Sequence, residues 1–68
     1  MSRNIHTMFH PENKIWQNKE AGTLRLLSTH ETKKEAVHKG YSFALTNKSV
    51  HVIHSMDGSI AAKNSYSN

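Results

Sequence analysis

Cysteine is absent, which excludes disulfides and thiolate chemistry outright. Proline occurs once, at Pro11, and the three glycines are isolated at positions 22, 40 and 58, so no glycine-rich loop exists to cradle a phosphate. No apolar run approaches the roughly 18 to 20 residues of a membrane-spanning helix, and the start, Met1 to His6, lacks the apolar stretch of a secretory leader. There is no Gly-x-Ser-x-Gly elbow to expose a nucleophile. There is also no block of basic residues: the nine lysines and arginines are spread along the chain. The expectation from these absences is a cytoplasmic protein that is not an enzyme, does not associate with membranes and needs no cofactor.

What is present reads as one small α+β domain. Sixty-eight residues leave room for a single core. Nine basic against five acidic residues give a formal charge of +4, which permits an anionic partner without requiring one. Ile5 to His10 alternates as a first strand, with Ile5, Thr7 and Phe9 on one face and His6, Met8 and His10 on the other. Pro11-Glu12-Asn13 breaks it. Lys14 to Lys19 follows with the single tryptophan, Trp16, and after a turn at Glu20-Ala21-Gly22 the segment Thr23 to Ser28 alternates again. Three such strands read as an antiparallel meander.

The segment from Thr32 to Leu45 is the only one with a helical period. Thr32 and Glu35 have the spacing of a capping box. Val37, Tyr41, Ala44 and Leu45 then mark a stripe on one face, and Asn47 or Lys48 is the exit. Gly40 costs roughly 1 kcal/mol in a helix interior relative to alanine, so it wants a reason. Close approach of helix to sheet is the preferred one, and a kink or early end is the alternative. Ser49 to His54 has strand density in β-branched residues. Asp57-Gly58 is the strongest turn signal, returning the chain through Ser59 to Lys63. A three-residue loop with a bulge at Gly58, preferred over a two-residue loop, would group Val50, Val52, Ile60 and Ala62 on one face.

The expected fold is thus a small antiparallel sheet in the order β-β-β-α-β-β with one helix packed on one face. It spans residues 1–68, with residues 1–4 and 64–68 expected to fray, or the last five to fold back. The expected core is Ile5, Phe9, Trp16, Leu24, Leu26, Val37, Tyr41, Ala44, Leu45, Val52 and Ile60.

Specific residues also carry a family resemblance. Trp16 in an early strand, Thr32-Lys33-Lys34-Glu35-Ala36 at the helix start, and Ile53-His54, Asp57-Gly58-Ser59-Ile60 and Lys63-Asn64-Ser65-Tyr66 at the end resemble the small bacterial family known as domain of unknown function 2188. The pattern covers about residues 5 to 68. Ser67 departs from it where a glycine usually follows the tyrosine, and the histidine-rich strands are atypical. The resemblance implies the strand–helix–hairpin order and brings no established activity.

Six histidines are the most unusual feature of the composition. A zinc site needs three or four ligands converging at about 2.0 to 2.3 Å. His6 and His10 share a face but stand roughly 13 Å apart along a strand, and His51 and His54 point to opposite faces. Only a cross-strand pair such as His10 with His54 could gather two ligands, so no metal site and no catalytic residue is expected. Asp57 is explained by its turn and Glu35 by its cap. The expected function is a non-enzymatic interaction module that binds a protein or associates with itself through a sheet edge, since short sheets leave unpaired edges. The alternative is a weak nucleic-acid binder using Lys33, Lys34, His38 and Lys39 around the basic helix start, where free N–H groups already favour anions.

Overall fold

A computed structural model describes residues 3–23 and 25–66. The elements are β1 (Ile5–His10), β2 (Ile15–Glu20), β3 (Arg25–His30), α1 (Lys33–Asn47), β4 (Val50–His54) and β5 (Ile60–Ser65). They form a five-stranded sheet in the order β3-β2-β1-β4-β5, with α1 packed on one face against β1, β2, β3 and β4. This is the expected α+β class and element order. One ladder is parallel: β1 runs alongside β4, pairing Ile5 with His51 and Thr7 with Ile53, so the sheet is mixed. The parallel pair follows from the helix, which carries the chain from the β3 edge over to the far side of β1.

Helix α1 starts where Thr32, with extended backbone, accepts a hydrogen bond from the Glu35 N–H at 3.2 Å. It ends at Lys48, whose left-handed backbone (φ 53°) lets its N–H reach the carbonyls of Ala44 and Leu45. The buried stripe is Ala36, Gly40 and Ala44, spaced by four. This corrects the expected stripe of Val37, Tyr41 and Leu45: the helix lies so close to the sheet that only the smallest residues fit beneath it, and the larger ones turn aside.

Ile5, Trp16, Ala44 and Val52 are buried as expected. Phe9 and Val37 are half-buried, Phe9 with its ring 5.2 Å from that of Trp16. Leu26 (49% exposed), Leu45 (49%), Tyr41 (41%) and Ile60 (61%) are not core residues. For Leu26 the cause is a bulge. Asn18 pairs with Ser28 but Lys19 with Leu26, so Leu27 is the extra residue and Leu26 joins the face that the helix leaves bare. Leu24 lies outside the described residues.

The β4–β5 hairpin has the expected three-residue loop. Ser55 N–H donates to the Ser59 carbonyl at 2.7 Å, and Gly58 takes positive φ (93°). Asp57 accepts from both the N–H and the hydroxyl of Ser59, which holds its carboxyl below the usual range. A second bulge then intervenes: Ile53 faces Ala62 while His54 faces Ile60. Ala61 is the extra residue, so Val50, Val52 and Ile60 share the bare face and Ala62 is moved to the other. Of the residues expected to fray, 1–2 and 67–68 lie outside the described residues. Asn4 accepts from Ala21 and Val50, β5 runs through Asn64 and Ser65, and Tyr66 N–H donates to Ser49.

Candidate functional site

Helix α1 has no contact with β5, and that half of the sheet's helix-side face is left as an open groove of about 870 Å³. Its floor is Ile53 from β4 and Asn64 from β5; its wall is Val37 and Tyr41 from the helix. Tyr66 meets Tyr41 edge to face at 5.2 Å, the geometry that aromatic pairs favour. Lys33, Lys34 and His38 line the basic side of this groove, with Glu35 the single acidic group among them. An apolar trough of this size with a few polar groups has the character of a binding site.

Of the residues singled out at the helix start, Lys33, Lys34 and His38 therefore come together at one groove. Lys39 does not line it: its ammonium stands 5.5 Å over the Phe43 ring. Lys33 in turn sits 5.6 Å from the Trp16 ring centre. The apolar part of the groove is invisible to a search for charge, although Val37 and Tyr41 at a spacing of four marked its wall.

Beneath the helix lies a polar core. Asn18 Nδ2 donates to the Ala36 carbonyl at 2.9 Å and to Ser28 Oγ at 3.1 Å, which turns its Oδ1 toward Thr7. Thr7 has a single hydroxyl proton and donates it to Asn18 Oδ1 at 2.5 Å. The 2.6 Å contact between Thr7 Oγ1 and His51 Nε2 must then have histidine as donor, so valence places a proton on His51 Nε2. Thr7, Asn18 and His51 are all 1% exposed or less. Burial, and secondarily the neighbouring His6, holds the His51 pKa below the ordinary value of 6.5.

Acid should therefore weaken the fold. The unfolded chain takes up a proton on His51 near pH 6.5 while the native state resists, so stability is full above that pH and declines as pH falls through the interval down to the native pKa. His6 is lowered by burial and by His54, with the same sign. Lys33, Lys34 and His38 border the same groove as His51 and add no compensating negative charge; Glu35 is the exception. Urea midpoints should drop between pH 7.5 and 5.5, and less so in His51→Gln, which keeps a donor for Thr7. A midpoint that is flat or rising over that range would contradict the buried neutral histidine.

On the opposite face of the sheet, His6 and His54 meet. Their rings are stacked at 5.2 Å, with His6 Nδ1 2.9 Å from His54 Nε2. The cross-strand pair is thus His6 with His54 rather than His10 with His54, because parallel pairing places β4 beside β1 in the register Ile5–His51.

The family model described as an uncharacterized protein conserved in bacteria, domain of unknown function 2188, matches residues 5–66. The chain belongs to this family. The match covers every strand and the helix, and with them both walls of the groove. No curated protein and no solved structure is significantly similar to the chain. Among the described residues no helix is long and apolar enough to cross a membrane.

Proposed function

We propose that this domain is a non-enzymatic interaction module, cytoplasmic in setting, that docks an apolar and acidic segment of another protein in the groove between α1 and β4–β5. The observation that carries the reading is the groove itself: an apolar wall of Val37 and Tyr41 over a floor of Ile53 and Asn64, open to solvent, with three basic side chains against one carboxylate. Beside it β5 is the edge of the sheet, with no strand beyond it among the described residues, and Ile60, Ala61, Lys63 and Asn64 are exposed. An extended segment can add to such an edge through main-chain hydrogen bonds while its alternate side chains enter the neighbouring hollow. Charge argues for a foreign partner at the groove: a second copy would bring Lys33, Lys34 and His38 against their own kind.

The test is binding of fluorescein-labelled peptides that alternate aspartate or glutamate with leucine or phenylalanine. Binding should saturate, and Val37→Glu should weaken it by about tenfold or more, or about 1.4 kcal/mol. Equal affinity for the variant would remove the groove from the reading. The nucleic-acid alternative keeps only Lys33 and Lys34 as lysines at the groove. Two phosphate contacts give a log–log salt slope of about −1.8 on a duplex, too little for binding at physiological salt. Micromolar or tighter duplex binding in about 150 mM salt, abolished in the Lys33→Glu, Lys34→Glu double variant, would reverse the ranking.

A further inference from the structure

The bare face of the sheet holds a second hollow, of about 270 Å³, lined by His6 and Met8 from β1, His54 from β4, and Lys19 to Gly22 around the end of β2. From these residues we propose that His6, His54 and Met8 form a binding site for a soft monovalent metal ion, copper(I).

The hydrogen-bond pattern at the pair already has the form of a ligand set. His54 Nδ1 lies 3.3 Å from the Gly58 carbonyl, an acceptor only, so Nδ1 carries the proton and Nε2 presents a lone pair toward His6. A ring N–H given to a backbone carbonyl is the usual way in which a metal-bound histidine is oriented. Here the hairpin loop that Asp57 and Gly58 build supplies that carbonyl. His6 then donates from Nδ1 to His54 Nε2 at 2.9 Å. Moving the His6 proton from Nδ1 to Nε2 leaves the ring neutral, releases no proton, and turns two lone pairs toward one point. Two imidazole nitrogens sharing an ion at about 2.0 to 2.1 Å stand about 3 to 4 Å apart, depending on the angle at the metal. Exchange of the shared proton for an ion therefore asks the rings to part by about an ångström or less.

The choice of ion follows from the third ligand and the charge. Among the described residues no group of three or more histidines, cysteines or carboxylates could hold a metal, so a zinc site of ordinary composition is not offered. Met8 follows His6 by two residues on the same strand face and lines the same hollow, supplying a thioether. Thioether sulfur selects copper(I), and imidazole accepts it readily. All three ligands are neutral, and Lys19, opposite His6 in the β1–β2 ladder, stands at the same hollow. An ammonium there opposes a divalent ion more than a monovalent one. Glu20 offers little relief, since its carboxylate is engaged by the Thr23 hydroxyl at 3.1 Å and by Arg3 at 3.7 Å.

The experiment is anaerobic titration with copper(I) against a chromophoric chelator, repeated with silver(I) as an air-stable analogue. One equivalent should bind. His6→Ala and His54→Ala should each weaken it by about tenfold or more, the scale of losing a ligand or its support. Met8→Leu should weaken copper(I) and silver(I) while leaving any zinc binding unchanged, and His10→Ala should have no effect. Ring-nitrogen NMR of the wild type should show coordination shifts at His6 Nδ1 and His54 Nε2, a readout that no variant's folding can disturb. The proposal is overturned if the wild type binds no more tightly than the His6→Ala, His54→Ala double variant. Coordination shifts confined to other histidines would overturn it equally.

Discussion

Gly40→Ala is expected to destabilise the domain by about 2 to 5 kcal/mol, reversing the usual sign of that substitution. In an ordinary helix interior alanine is favoured over glycine by about 1 kcal/mol. At this position an added Cβ would stand 2.5 Å from His51 Nε2 and 2.6 Å from both Asn18 Oδ1 and Thr7 Oγ1. These neighbours cannot yield independently, because each holds the next in a chain of buried hydrogen bonds. Overpacking of this kind costs about 1 to 3 kcal/mol, and each buried polar group left unpaired by the shift costs about 1 to 3 more. A chain of 68 residues has a total stability of about 3 to 10 kcal/mol, so the loss is a large share of the whole. Urea denaturation followed by tryptophan fluorescence reads the effect through Trp16. A Gly40→Ala protein as stable as the wild type would mean that helix and sheet are not in such close contact.

Asn18→Ala should cost about 2 to 4 kcal/mol. The side chain is fully buried and uses both ends: one oxygen accepts from Thr7, and one nitrogen serves Ser28 and the Ala36 carbonyl. Its removal strands the Thr7 hydroxyl proton and opens a cavity under the helix, two penalties that add. Asn18→Asp should be worse at neutral pH despite nearly equal volume, since a carboxylate cannot donate to the Ala36 carbonyl and would be a buried, unpaired charge. That variant should recover stability as pH falls and its carboxyl protonates, the opposite of the wild-type trend. Thermal melts of the three proteins at pH 7 and pH 5 separate these outcomes. Wild-type stability for Asn18→Asp at pH 7 would show that the network does not reach the helix.

The sequence disclosed the elements more fully than the packing. Thr32, Lys48 and Asp57-Gly58 are local signals, decided by the backbone within a few residues, and each ends up where its chemistry requires. The preferred reason for Gly40 is likewise the observed one. What was hidden depends on a neighbour distant in sequence. A helix this close to a sheet reverses the ordinary rule, burying Ala36 and Ala44 and turning Tyr41 and Leu45 outward. Thr7, Asn18 and His51 look like surface residues until the parallel ladder brings β4 beside β1. The two bulges, at Leu27 and Ala61, each shift a strand's remaining residues to the other face, and no local signal announces them. The candidate site followed the same division. Lys33, Lys34 and His38 were legible as charge at a helix start, whereas the apolar hollow they border exists only once β5 has folded back.

The pairing of Ile5 with His51 also sets an order of events during synthesis. The first three strands can form a hairpin pair as soon as they leave the ribosome. In that state the central strand β1 is still an edge, and Ile5 has neither helix nor β4 beside it. The missing ladder lies more than forty residues downstream, and closing a loop of that length costs entropy before any contact repays it. The nascent chain must therefore carry an exposed strand edge until β4 emerges. A chain halted with β1 to β3 emerged and β4 still inside the exit tunnel would display an edge suited to pairing with other chains.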